Sequence, residues 1–307
     1  MVICTRDRAA QLDQCLEATT RLNYPRFDVV VVDNAPQGGQ TQEVVARHGV
    51  RYVVEPVAGL SRARNRGALA CDTEIVAFLD DDALPEPDWL SALALEFRDP
   101  LVMAVAGRVR PARAETEAEH LGAVVAGLDS YGQQRKVIDL QTPHWFEIAN
   151  FGGIGTGGNL ALRRQAFNVW PGFDERLGRG APLPGSEEHH AFFELIDRGY
   201  RVIYTPQAVL WHPCPRTWDE LRTRYLKMVA SAAGYITLLF VEEPRYWRAT
   251  LRYVGGVLKG TSRTWRSPGL TSRPRIVPRW RALLACLLGP ALYVRSSLFH
   301  QAKTKHA

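Results

Sequence analysis

Three consecutive carboxylates, Asp80, Asp81 and Asp82, follow the apolar run 75–79 with no spacer. A run that short reads as a strand buried on both faces. In an open α/β sheet, ligands sit beyond the carboxyl ends of the strands. Side chains alternate along extended chain, so Asp80 and Asp82 face one way and Asp81 the other. Two acids converging on one point repel unless a cation or a donor stands between them. Oxygen ligands of this kind suit Mg²⁺ or Mn²⁺, above all when a phosphate completes the shell. The plainer reading is a polar junction between strand and helix; three acids directly after a buried strand favour metal–phosphate binding.

Upstream, Gly59-Leu60-Ser61-Arg62-Ala63-Arg64-Asn65-Arg66-Gly67 opens a helix that Ser61 is placed to cap. Arginine is a poor choice at a helix N-terminus, which is already partially positive. An anion such as a diphosphate would account for three of them; Arg stems covering a helix face are the alternative. Downstream, Phe151-Gly152-Gly153-Ile154-Gly155-Thr156-Gly157-Gly158-Asn159 lacks the phosphate-loop Gly-Lys-Ser ending and the dinucleotide fingerprint. On its own it reads equally as a tight turn or a binding loop. Glu187 and Glu188 open a further helix, where acids complement the macrodipole. His189 and His190 point about 100° apart on that helix, a poor arrangement for joint chelation. His212 follows the apolar residues 209–211 and is either an imidazole ligand for Mn²⁺ or a hydrogen-bonded pocket histidine.

The elements that must position these groups alternate. A short strand at 1–5 precedes a helix over 9–22. A β-branched run at 27–32 ends in Asp33-Asn34, a short helix follows at 40–48, and a third strand covers 51–54. This β-α-β-α-β order predicts a parallel sheet with right-handed crossovers. A helix over 88–97 and a strand over 101–109 come next, and 110–145 reads as a loose insertion with an acidic patch at 115–119. Thr217 is placed to cap a helix running to about 241. The apolar stretches 229–241 and 282–294, the second broken by Gly289-Pro290, each fall short of the ~20 residues of a membrane span. Their flanks, Trp247, Trp265, Arg279, Trp280, Arg281 and Arg295, predict interfacial helices instead.

Composition is that of a folded protein, 46% hydrophobic and 23% charged. Five scattered cysteines without a Cys-x-x-Cys argue against a disulfide framework or zinc site and for a reducing compartment. No basic-then-apolar leader opens the chain, so secretion is not expected. The net charge of +6 hides a division: residues 245–307 carry thirteen Lys and Arg and no acid, leaving 25 basic against 32 acidic residues over 1–244. A basic tail on an acidic body predicts an anionic partner, a membrane surface before nucleic acid.

The succession Ile3-Cys4-Thr5-Arg6-Asp7-Arg8, Val30-Val31-Val32-Asp33-Asn34, Gly59 to Asn65 and Phe78-Leu79-Asp80-Asp81-Asp82 resembles the nucleotide-sugar half of family 2 glycosyltransferases. The resemblance implies the α/β GT-A fold: a Rossmann-like, mostly parallel sheet flanked by helices, here with a basic helical C-terminal extension. It implies a catalytic domain over 1–216, with a nucleotide-sugar half (1–110) and an acceptor half (111–216), and a helical extension over 217–307. It further implies that Thr5, Arg6, Asp33, Arg62, Asn65, Asp80 and Asp81 hold a donor of UDP, GDP or dTDP type. Asp82, Asp80 and His212 match the ligands of Mn²⁺ or Mg²⁺, and Gly158 and Asn159 match the acceptor-side loop. Glu188 matches the base of an inverting transfer, with Glu187 as its alternate; the second acid departs from the family's usual Asp. The chain also lacks the few residues that usually precede the family's first strand, which implies a trimmed strand or an upstream start.

The expected activity is therefore metal-dependent sugar transfer to a hydroxyl of a glycan or lipid-linked acceptor, in cell-envelope or polysaccharide synthesis. The expected location is cytoplasmic, peripheral at the inner membrane face. A nucleotidyltransferase would normally carry a glycine-rich loop after the first strand, and residues 4–8 contain no glycine. A non-enzymatic protein binding nucleic acid or membrane through its tail is the remaining alternative.

Overall fold

The computed structural model of the protein describes residues 1–259 and 276–304, with side chains described to 298; Trp265 lies outside the described residues. Four strands, β1 (Val2–Thr5), β2 (Val30–Asn34), β3 (Arg51–Glu55) and β4 (Ile75–Asp80), pair in parallel in the spatial order β3-β2-β1-β4. Helices α1 (Ala9–Thr19), α2 (Gln40–His48) and α3 (Leu60–Leu69) make the crossovers. Parallel register brings the strand ends to one edge: Thr5 lies beside Asp33 and Cys4 beside Asp80. Strands β1, β2 and β4 are buried on both faces, so their successive residues enter different cores, while edge strand β3 keeps Arg51 and Val54 exposed. Val2, Val32 and Phe78 join one, and Ile3, Val31 and Leu79 the other.

The second half departs from the parallel pattern. After β5 (Leu84–Pro85), α4 (Trp89–Leu95) and β6 (Val102–Pro111) comes the stretch expected to be loose. It holds α5 (Glu117–Val125) and β7 (Lys136–Ile138), and α6 (Trp145–Asn150) begins where it ends. The acidic patch is the start of α5: Thr116 accepts from the Glu119 amide, and the Glu119 carboxylate accepts from the Thr116 amide, a capping box. Strand β8 (Asn159–Arg163) then inserts between β4 and β6, antiparallel to both. The sheet is therefore mixed; a strand buried on both faces carries no side-chain signal of its direction. Helices α7 (Ala166–Val169) and α8 (Glu187–Asp197) lead to β9 (Arg201–His212), which pairs with β5, β6 and β7.

The tail is helical: α9 (Trp218–Glu242), α10 (Trp247–Leu258) and α11 (Arg279–Thr304). Thr217 caps α9, accepting from the Glu220 amide. With 25 residues, α9 exceeds the apolar stretch read from the sequence. It is the one described helix long and apolar enough to cross a membrane, with 39% of its apolar window buried. Its inner residues Tyr235, Leu238 and Leu239 share a core with Phe192 and Phe193 of α8. Pro290 does not break α11 as expected, and the helix runs through it. There α11 meets α9 backbone to backbone, since a Cβ on Gly289 would stand 2.5 Å from that of Ala233. Tight packing holds the helix across the missing amide of Pro290. Ser61 likewise does not cap α3: Gly59 occupies the N-cap, and the buried Ser61 hydroxyl donates to the Leu177 carbonyl at 2.7 Å.

Candidate active site

Asp80 is the last residue of β4, and Asp81 and Asp82 enter a turn closed by the Ala83 amide donating to the Asp80 carbonyl, so the expected strand alternation does not hold Asp81 apart from Asp82. Asp81 turns toward β1, where its carboxylate accepts from Thr5 Oγ1 (2.7 Å) and Arg8 Nη1 (2.6 Å). Asp82 accepts from Arg8 Nη2 at 2.6 Å, so one guanidinium spans both carboxylates. On the other side His212, at the end of β9, brings Nε2 to 3.3 Å from Asp82 Oδ1 and 3.9 Å from Asp80 Oδ2. Its Nδ1 lies 2.8 Å from the Pro213 carbonyl, which assigns a proton to Nδ1 and turns Nε2 toward the acids.

Asp80, Asp82 and His212 each offer a ligand atom, all within 4.8 Å of one another. Asp82 Oδ1 is buried with no hydrogen bond of proper geometry among the described residues, a lone pair left for a cation. Two carboxylates and an imidazole are a donor set that fits Mn²⁺ or Mg²⁺. The charges reflect this crowding. Burial pushes the Asp81 carboxyl up to about 6 against the pull of Arg8. Burial also opposes charge on Asp82, but His212 and Arg8 outweigh it and hold that carboxyl well below the usual range. Burial opposes charge on His212 in turn, and Asp82 followed by Asp80 raises it nonetheless.

A second cluster adjoins the first through Arg64 on α3, only 2% exposed. Its Nη1 lies 2.9 Å from Glu187 Oε1 and its Nη2 3.7 Å from Asp80 Oδ1, with the guanidinium over the Phe173 ring. Burial raises the Glu187 carboxyl, the adjacent Glu188 adds to this, and Arg64 opposes it. Glu188 lines the same cavity and forms no ion pair among the described residues. The glycine-rich loop closes on this pair: a Cβ at Gly157 would stand 2.7 Å from Arg64 Nη1, and one at Gly158 only 2.3 Å from Asp80 Oδ2. Gly158, expected on the acceptor side, therefore seats Asp80.

Other expected site residues are committed elsewhere. Arg62 pairs with Glu175. Asn65 donates to the Phe173 carbonyl and accepts from the Phe173 amide, a bracket for that loop. Asn159, expected beside the acceptor, is fully buried; it accepts from Trp89 Nε1 and donates to the carbonyls of Arg108 and Ala208. Asp33 is buried, accepting from the Tyr52 hydroxyl at 2.8 Å, while its Oδ1 has no hydrogen bond of proper geometry among the described residues. Arg6 lines the cavity near Thr5. The sequence reading passed over Arg8 and Arg64, although both lie in quoted motifs; nothing in their spacing says which arginine turns inward. The cavity, about 2510 Å³, runs from Thr5 and Asp80 past Glu188 to Tyr225, Met228 and Ile236 on α9. That exceeds a single small-ligand pocket.

Residues 1–170, more than half of the chain, match the family described as Glycosyl transferase family 2. The chain belongs to glycosyltransferase family 2. Among curated relatives, the pre-mycofactocin glycosyltransferase of Mycobacterium tuberculosis is 28% identical over 76% of this chain. The chain spans only 45% of that protein's length. Glycosyltransferase AglE of Haloferax volcanii is 33% identical over 74% of this chain and 70% of its own. The glucosyl-dolichyl phosphate glucuronosyltransferase of the same organism is 26% identical, over 69% and 68%. The fold is that of solved GT-A glycosyltransferases. A Pyrobaculum calidifontis mannosyltransferase, solved with GDP-Man and Mn²⁺, superposes with a TM-score of 0.56 at 18% identity, over 97% of this chain and 74% of that one. Staphylococcus aureus TarS with UDP-GlcNAc gives 0.55 at 13% identity, over 98% and 91%. In this family-2 chain Asp80 and His212 of the Asp80–Asp82–His212 set line one cavity with Glu188.

Proposed function

We propose that the chain is a metal-dependent, inverting glycosyltransferase that moves a sugar from a UDP-, GDP- or dTDP-linked donor to an acceptor hydroxyl. The observation that carries this reading is the Asp80–Asp82–His212 donor set, of which Asp80 and His212 line the same cavity as the Glu188 carboxylate. Asp80, Asp82 and His212 would hold Mn²⁺ or Mg²⁺, which when bound offsets charge on the leaving diphosphate. Glu188 takes the proton of the acceptor hydroxyl as that oxygen forms its bond to C1, and the C1–diphosphate bond breaks on the opposite face. Arg64 keeps Glu187 engaged and leaves Glu188 as the base. Arg8 fixes Asp81 and Asp82 in their orientations, and Thr5 and Arg6 line the nucleotide side of the cavity, with the buried Asp33 beside Thr5.

Residues 1–110 form the donor half and 111–216 the acceptor half in this reading, with 217–307 as the extension. The acceptor is a glycan or a lipid-linked sugar of envelope or polysaccharide synthesis, and the enzyme works at the cytoplasmic face of a membrane. The relative named for a dolichyl phosphate sugar supports the lipid-linked class, as does the tail's basic charge. A thermal-shift panel of UDP, GDP, dTDP and CDP, each with Mn²⁺, Mg²⁺ or EDTA, tests the reading. One nucleotide should stabilise the protein only with metal; no response to any of them removes the donor-binding claim.

A further inference from the structure

Helix α11 wears its apolar residues on the outside. Trp280, Leu283, Leu284, Leu287, Leu288 and Leu298 are all exposed, Leu287 at 74% and Trp280 at 58%. At 100° per residue these positions fall within an arc of about 140°, a single stripe along the helix. The opposite face is the packed one: Ala285 and Gly289 are buried against α9, and Tyr293 reaches Glu242 at the far end of α9. The inner contacts of α11 are thus complete without the leucines. A continuous exposed stripe of this size marks an interaction surface.

We infer that this stripe is a docking face for an anionic lipid bilayer, on which α11 lies in the membrane plane with its leucines among the acyl chains. Charge selects this occupant. Arg279 and Arg281 flank the stripe at its start, Arg295 stands toward its end, and residues 245–307 contain no Asp or Glu. A second copy of the chain would bring arginine against arginine with no acid on the face to pair them. Anionic headgroups supply that charge, and the tryptophan suits the interface between headgroup and chain. The inference deepens the membrane-facing part of the function proposed above. Helix α9, which lines the cavity with Tyr225, Met228 and Ile236, lies directly beneath α11. Docking therefore holds the acceptor side of the cavity near the membrane.

The test is co-sedimentation of the full chain with vesicles of phosphatidylcholine alone and of phosphatidylcholine mixed with phosphatidylglycerol. The wild type should bind the mixed vesicles and bind the neutral ones weakly. Leu284→Glu with Leu288→Glu, both outward-facing, should lower that binding about tenfold or more with an unchanged melting temperature. Arg279→Gln with Arg281→Gln should lower it several-fold and flatten its salt dependence. Wild-type binding by the leucine variant, or no binding by the wild type, overturns the inference. A wild-type dimer that the leucine variant dissociates, without vesicle binding, assigns the face to a second copy instead. Metal-dependent stabilisation by nucleotide, read on the same samples, separates the two claims: its loss refutes the enzyme reading whatever the vesicles report.

Discussion

At the scale of single residues, the site is a chain of shared charges. Arg8 spans Asp81 and Asp82, His212 spans Asp80 and Asp82, and Arg64 reaches both Asp80 and Glu187. Asp82→Asn should therefore abolish the metal-dependent part of nucleotide binding, seen as a thermal shift in Mn²⁺ no larger than that in EDTA. The two glutamates should separate by kinetics. Glu188→Gln keeps donor affinity and loses transfer by about a hundredfold or more, the usual worth of a general base. Glu187→Gln leaves Arg64 buried with a neutral partner, so it lowers the melting temperature as well as the rate. Equal melting temperatures for the two variants would refute that division. The sequence pointed to a cluster of arginines on dipole grounds, but helix position alone did not distinguish Arg62, which pairs with Glu175, from Arg64, which enters the site.

At the scale of elements, legibility followed burial pattern. The strands β1 to β4 and the crossovers between them were readable because continuous β-branched runs alternate with helical spacing. The stretch 110–145 was not, although its capping box stands in the sequence as Thr116-Glu117-Ala118-Glu119. The direction of β8 was also hidden, and with it the role of Asn159. That side chain closes three hydrogen bonds at the junction of β6, β8 and β9, which no local signal announces. Asn159→Leu strands the Trp89 indole and two carbonyls in an apolar interior, at about 1–3 kcal/mol for each group left unpaired. Urea denaturation should show a lower midpoint with an unchanged slope, and a midpoint near that of the wild type would deny Asn159 its structural role.

At the scale of the whole molecule, α9 belongs to the catalytic body as much as to the tail. Arg176 binds Asp174 and, across the gap, Glu242 near the end of α9. Burial opposes charge on Asp174, yet Arg176 holds its carboxyl below the ordinary value of 3.8. A depressed carboxyl contributes stability that is complete above that value and is lost as pH falls through the lower folded one. Arg176→Met should remove about 3 kcal/mol at neutral pH. It should also flatten the loss of stability below pH ~4, which acid titration of the melting temperature checks.

The glycine loop carries a consequence for the gene. Every missense change at codon 157 or 158 adds a Cβ less than 3 Å from the Arg64 guanidinium or the Asp80 carboxylate, so that group has to shift from its place in the site. The codons for Gly38 and Gly39 meet nothing within 4 Å of an added Cβ. In a saturation library selected for activity, the first two positions should return almost only glycine and the second two a broad alphabet. A spontaneous loss-of-function allele at 157 or 158 would then be restored by true reversion far more often than by substitution to another small residue.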